Sequence, residues 1–281
     1  MPLQKLTTSD LNALYAKLSA GGLSPSTVRL VHNVVHKALE AAVRQQLAIR
    51  NVAGYADRPR IPRVQRRTWT ASELRQFLDA NSDERLYAAW VFAATTGARR
   101  GEVLGLRWFD LDLEKGRAAI VQTVIPTGGK RWAFSTTKTG AGRQVALDST
   151  TVEALKAHRE QQLAEREQWG EAYQDFDLVF TRENGEPLDP NGFTDLFGTA
   201  LKRAKLPKIR LHDLRHGHAT LCLSAGVHPK VVSERLGHSS VKMTLDRYSH
   251  AIPALEESAA ELVAALVFSD LPEESQDRAA H

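Results

Sequence analysis

A chain of 281 residues with 42% apolar content can bury two cores, and its single cysteine, Cys222, excludes both an intramolecular disulfide and a zinc cluster of thiolates. No apolar run approaches the ~18 residues that a membrane span needs, and the first residues lack the basic and apolar regions of a secretion leader, so a soluble protein of the cytoplasm is expected. The net charge of +4 is unevenly spread: residues 1–67 hold eleven Lys/Arg against three Asp/Glu, and the remainder twenty-six against thirty, which makes the front of the chain a candidate polyanion-binding region.

Residues 1–56 read as helical. Thr7 and Ser9 are available to cap TTSDLNALYAKL, and Ser24 or Ser26, with Pro25 near the start, opens SPSTVRLVHNVVHKALEAAVRQQL. At ~100° per residue, Val28, Val31, Val35, Ala38, Leu39 and Ala42 fall on one side of this second helix. Arg29, Asn33, His36, Lys37 and Arg44 fall on the other, opposed only by Glu40. One face packs; the other either lies along a duplex backbone or simply faces water.

Residues 57–68, DRPRIPRVQRRT, contain two prolines, five arginines and one aspartate, the composition of an extended basic linker and a domain boundary. A capping box of Thr70 and Glu73 then starts a new helix. The pattern stays helical from Glu84 to Arg107, with a turn expected in TTGARRGE at Gly97 and Gly101. Strand-like runs at 116–125, 129–139 and 142–148 predict a three-stranded antiparallel meander. A helix follows at 151–169, then a short strand at 177–181 and the loop ENGEPLDPNG. A helix at 193–204 ends in KRAKLPKIR, with five basic residues in nine. Short helices are expected at 214–224, 229–236 and 242–248. A last one over 253–268 places Leu255, Ala259, Leu262, Val263 and Leu266 on one stripe, followed by the polar tail 269–281.

His212 and Arg215, three apart in HDLRH, can share a helix face and converge on one anion. Taken singly, each reactive candidate reads more readily as structure: a surface pair, a helix ending at Gly237 and His238, a half-buried Tyr248, a turn lysine at Lys138. Their joint occurrence in a fixed order is more specific. TTGARRGEVLGLRWFDLD, TKTGAGRQVAL, LHDLRHGHAT, LGHSS and DRYSH resemble the successive signature boxes of the tyrosine recombinase (phage integrase) family. The resemblance runs from about Thr68 to about Phe268, with weaker similarity to the family's core-binding domain before it.

That resemblance implies a mainly α fold with a small antiparallel sheet (α+β): an all-helical core-binding domain over 1–56, which starts partway into the family's usual domain as if truncated, the basic linker 57–68, and a catalytic domain over 69–268 that includes the last helix. Position by position it implies Arg99 and Arg215 as the arginines, Glu102 as a supporting acid, Lys138 as the hairpin lysine, His212 and His238 as the histidines, and Tyr248 as the nucleophile. The residue types suit the chemistry. A phosphodiester under transesterification gathers charge on its non-bridging oxygens, which planar guanidiniums bind in pairs. A phenol with a pKa near ~10 needs a base and a cationic field to react at neutral pH, a role for His212. His238 is expected to donate to the phosphate, and Lys138 to protonate the leaving 5′-oxygen.

The expected activity is site-specific DNA recombination through a 3′-phosphotyrosyl intermediate, independent of ATP and metal, with no cofactor. Expected partners are a double-stranded attachment site, three further copies in a synaptic tetramer, and accessory DNA-bending or directionality proteins in a bacterial nucleoid. Phosphate contacts are expected from Arg29, Lys37, Arg44, Arg63, Arg66, Arg67, Lys202, Arg203, Lys208 and Arg210. A DNA-binding regulator on the same fold would not need all six catalytic positions. A type IB topoisomerase shares the residue set but relaxes DNA without exchanging partners.

Overall fold

The computed structural model describes residues 2–61, 67–128, 131–136, 142–238, 240–248 and 263–264, with backbone alone at 131 and 246–248. The chain forms two compact units, Met1–Arg66 and Arg67–His281.

In the first unit, α1 (Thr8–Ala20) starts under a capping box in which Thr7 Oγ1 accepts the Asp10 N–H and the Asp10 carboxylate accepts the Thr7 N–H. α2 (Pro25–Arg44) starts at Ser24, with Pro25 at the one position where a missing N–H is harmless. Leu11, Tyr15, Val28, Leu39, Val52 and Ala53 form the core. The helical wheel needs two corrections: Ala38 is exposed, and His32 is buried on the packed side. His32 lies next to Leu39 on the wheel, about 20° beyond it, and its Nδ1 pairs with the Tyr15 hydroxyl at 3.2 Å, which offsets the loss of water from the ring. Ala38 lies at the opposite edge of the stripe, about 80° from Val28.

The second unit begins with α3 (Ala71–Asp79), capped by Thr70 and Glu73 as the sequence predicts. α4 (Tyr87–Thr96) is apolar almost all round and buried, as befits a central helix. Gly97 ends it in the left-handed region at φ +65°. α5 (Arg100–Leu104) follows. Gly101, expected in the turn, lies inside α5, where a Cβ would collide with Thr123 Oγ1 and come within 2.5 Å of the Val124 carbonyl oxygen.

This close approach accounts for the largest departure from the expected sheet. The strands are β1 (Leu111–Asp112), β2 (Arg117–Ile120), β3 (Gln122–Gly128), β4 (Arg131–Thr136) and β5 (Arg143–Ala146). The run 116–125 divides at Val121, so the single meander becomes an antiparallel β1-β2-β5 sheet and a separate β3-β4 hairpin. β3 leaves the first sheet because it is drawn against the glycine face of α5: a Cβ on Gly105 would lie 3.2 Å from both the Gln122 oxygen and the Thr123 α-carbon.

α6 (Ser149–Trp169) is capped by Asp148. The strand expected at 177–181 does not form. Leu178 and Thr181 make isolated bridges to Arg107 and Pro187, and the Val179 carbonyl instead accepts His158 Nε2 at 2.8 Å and Gln162 Nε2 at 3.3 Å, both from α6. α7 (Pro190–Ala204) and α8 (Leu211–Ser224) start earlier than the apolar pattern alone suggests. Asp189 caps the first, and the Asp213 carboxylate accepts the Arg210 N–H at the start of the second. α9 (Pro229–Leu236) and α10 (Val241–Tyr248) complete the described elements. α7 docks on α4 through Phe193, whose ring stacks on Trp90 at 4.7 Å, with Phe77, Phe197 and Trp69 around them. Such pairs add roughly 0.5–1.5 kcal/mol each beyond the buried area. Of the expected last helix, Val263 and Ala264 are described and helical; the rest of it and the tail 269–281 lie outside the described residues. Among the described residues no helix is long and apolar enough to cross a membrane.

Candidate active site

The site is built on the C-terminal ends of two helices. α9 closes with a Schellman turn: Gly237 stands at φ +66°, its N–H donates to the Glu234 carbonyl at 2.9 Å, and the His238 N–H donates to Ser233 at 3.0 Å. That leaves the next carbonyls without a helical partner. Each is taken by a different guanidinium: Arg143 Nε donates to the Arg235 oxygen at 2.8 Å, Arg215 Nη2 to Leu236 at 2.7 Å, and Arg99 Nη2 to Gly237 at 3.1 Å. Three arginines from three segments therefore meet at consecutive residues, where the helix dipole also favours cations.

The last carbonyls of α4 are also taken by side chains. His218 Nδ1 donates to the Ala94 carbonyl at 3.1 Å, Arg235 Nη2 to Thr95 at 2.9 Å, and Arg215 Nη1 to Gly97 at 2.8 Å. Arg215, 3% exposed, thus bridges both helix ends. Gly97 must be glycine here, since a Cβ would sit 2.6 Å from Leu236 Cδ2 and 2.9 Å from the His218 ring. His218 is neutral by necessity: with Nδ1 donating, its Nε2 accepts from Arg235 Nε at 3.2 Å. Burial, then the Arg235 charge, depress its pKa to about 4.

Glu102, 2% exposed, is shared. Arg99 reaches it with Nη1 at 2.6 Å and with its backbone N–H at 2.8 Å, while Arg143 grips both oxygens at 3.0 and 2.7 Å. Burial alone would raise this carboxyl, but the hydrogen bond and charge of Arg143, followed by those of Arg99, overcome it and hold the pKa at about 2. Among the described residues, the hydrogen bonds just named join four guanidiniums and one carboxylate. Positive charge whose orientation is set by backbone carbonyls is an arrangement suited to an anion.

His238 directly follows the three capped carbonyls, and its Nδ1 pairs with Thr244 Oγ1 of α10 at 2.8 Å, so the helix that ends in Tyr248 is tied to the same point. His212 is exposed in the first turn of α8, its ring 4.9 Å from that of His216. Lys138, Arg63 and Arg66 lie outside the described residues, as does the Tyr248 side chain.

Sequence reasoning missed Arg143, Arg235 and His218. For Arg143 a signal existed: strand alternation puts it on the inward face with buried Val145. The expected phosphate contacts differ in their engagement. Lys37, Arg44, Lys202 and Lys208 are exposed. Arg29 donates to the Pro59 carbonyl at 2.6 Å. Arg67 pairs with Glu73, Arg203 with Asp83 and Glu84, and Arg210 with Asp213.

Comparison with known proteins is consistent along the chain. The family model described as "Phage integrase family" matches residues 67–254. A relative in Caldanaerobacter subterraneus, described as "Tyrosine recombinase XerC-like", is 29% identical over 93% of this chain and 71% of its own length. The "ICEBs1 integrase" of Bacillus subtilis is 27% identical over 89% and 68%. Among solved structures, the Tn1549 transposon integrase bound to transposon right end DNA superposes with a TM-score of 0.77 at 23% identity, covering 94% of this chain and 88% of that one. A lambda integrase dimer bound to a core site gives 0.64 at 20% identity, covering 88% and 81%.

Proposed function

The chain belongs to the phage integrase family of tyrosine recombinases, and on that premise we propose that it cleaves and rejoins DNA with Tyr248 as the nucleophile and Arg99, Lys138, His212, Arg215 and His238 as the groups acting on the scissile phosphate. The Tyr248 oxygen attacks phosphorus in line, its proton passing to His212. The bond from phosphorus to the 5′-oxygen breaks, and that oxygen takes a proton from Lys138. Arg99 and Arg215 bind the non-bridging oxygens, and His238 donates to one of them. The resulting 3′-phosphotyrosyl ester keeps the energy of the broken bond, so a 5′-hydroxyl from another strand can displace tyrosine and complete exchange.

One observation carries this reading: Arg99 and Arg215, distant in sequence, hold the neighbouring carbonyls Gly237 and Leu236 immediately before His238. Carbonyl bonds fix the plane of each guanidinium before any phosphate arrives, which is what stabilising a developing charge requires. Double-stranded DNA is the partner in this reading, with four protomers on a synapsed pair of sites, and the nucleoid is its location. Accessory DNA-bending or directionality proteins belong to the same proposal.

The test uses a suicide duplex nicked within an attachment core, the core recovered by enriching genomic fragments that the protein retains. Wild type is expected to give a protein–DNA adduct on a denaturing gel, and Tyr248→Phe none. Absence of the adduct from wild type, or its persistence in Tyr248→Phe, overturns the assignment. Relaxation of supercoiled DNA without recombinant products would assign the chain to topoisomerase chemistry instead.

A further inference from the structure

Arg143 opens β5, and its side chain is 12% exposed. Its guanidinium bonds inward, to both oxygens of Glu102 through Nη1 and Nη2 and to the Arg235 carbonyl through Nε. Gly237 lies directly against it, since a Cβ there would approach Arg143 Cδ and Nη1 to 3.1 Å. The guanidinium is therefore enclosed by α5, the end of α9 and its own strand.

Arg99 is set by this arrangement. Arginine–carboxylate pairs are frequently two-oxygen forks. Arg143 occupies both oxygens of Glu102, leaving Arg99 a single side-chain bond to Oε1 and letting its Nη2 reach Gly237. We propose that Arg143 is a positioning residue for strand cleavage: it holds Glu102 and the end of α9 so that Arg99 and His238 face the phosphate, and it does not touch the phosphate itself. Register pairing of Arg143 with Ile120 fixes this anchor to the sheet.

The inference rests on the function proposed above, and the experiment separates the two. Wild type, Arg143→Ala, Arg143→Lys, Glu102→Gln and the double variant Arg143→Ala with Glu102→Gln are compared for single-turnover cleavage of the nicked duplex, for its affinity and for the salt dependence of binding. Arg143→Ala should cleave about 100-fold slower, the usual scale for a misplaced electrostatic donor. Arg143→Lys keeps a charge but cannot fork, so it should recover roughly tenfold of that loss. Because the Arg143–Glu102 contact is lost in both single variants, the double variant should lose less than the product of the two single losses.

Affinity and salt slope should stay at wild-type values. The charged groups facing Glu102 among the described residues are Arg99 and Arg143. Loss of Arg143 should therefore move the acid limb of the cleavage profile to higher pH, which a purely structural defect would not do. Additive losses in the double variant, a salt slope smaller by about one phosphate contact, or wild-type cleavage by Arg143→Lys and Arg143→Ala would each overturn the proposal. Failure of wild type to form the Tyr248 adduct would instead refute the function on which it rests. If Arg143→Ala does not fold, Arg143→Lys and its double variant with Glu102→Gln decide the same question.

Discussion

Arginines and lysines are used in two opposite ways in this molecule. On the outer face of α2, Lys37 and Arg44 are exposed, and their charge is available to any polyanion that comes near. At the ends of α4 and α9, the guanidiniums of Arg99, Arg143 and Arg215 are committed to carbonyls and to one carboxylate. The first arrangement supplies attraction, graded and sensitive to salt. The second supplies orientation, because buried carbonyls leave a guanidinium few ways to turn. Net charge counts both alike, yet only the second specifies chemistry.

Arg215→Ala should separate the two uses by the widest margin. It removes the expected clamp and leaves the buried Gly97 and Leu236 carbonyls unpaired, so cleavage should fall by about 1,000-fold and stability by about 3 kcal/mol. Denaturant unfolding alongside single-turnover cleavage checks both. A drop in DNA affinity of similar size would mean that Arg215 belongs to the first group.

Acid should act next, and on stability. Glu102 is held at about 2 against an ordinary 4.5, so its contribution is fully present above about 4.5 and is lost as pH falls towards 2. The whole effect is on the order of 3 kcal/mol. Wild type should therefore lose on the order of 2 kcal/mol relative to Glu102→Gln between pH 6 and pH 3 in urea titrations. A constant difference between the two proteins would show that the carboxylate is not stabilised as described.

Gly97→Ala tests the packing that brings the helix ends together. The left-handed backbone and the approach of Leu236 should cost about 2 kcal/mol, read as a lower melting temperature, with slower cleavage at unchanged affinity. The smallest effect belongs to α2. Lys37→Ala with Arg44→Ala should leave stability within about 0.5 kcal/mol while reducing the salt slope of binding by about one for each phosphate no longer neutralised. A wild-type slope would mean that this face meets only solvent.

Much of the architecture is legible because it is local. The Thr70–Glu73 capping box, Pro25 at the head of α2 and the span Pro229–Leu236 follow from side-chain chemistry over three or four residues. The division of the run 116–125 into β2 and β3 is not local. It depends on two glycines, Gly101 and Gly105, approached by a strand from elsewhere in the chain. The site divides along the same line. Arg99, Arg215 and His238 are readable from the order of their motifs, whereas Arg143 and Arg235 acquire meaning only once helix ends meet, since an arginine's partner here is a carbonyl, which every residue carries. Strand alternation marks Arg143 as inward-facing; nothing comparable marks Arg235.

The Schellman turn at Gly237 has a consequence for cooperativity. The carbonyls held by Arg143, Arg215 and Arg99 belong to consecutive residues, and the turn that exposes them rests on the Gly237 and His238 amides. Fraying of a single turn would break one bond of each of the three arginines at once, leaving Arg215 on Gly97 and Arg99 and Arg143 on Glu102, and would loosen the imidazole bonded to Thr244. The three carbonyl contacts are thus coupled through one local opening, and amide exchange at Gly237 and His238 should report how often they are lost together.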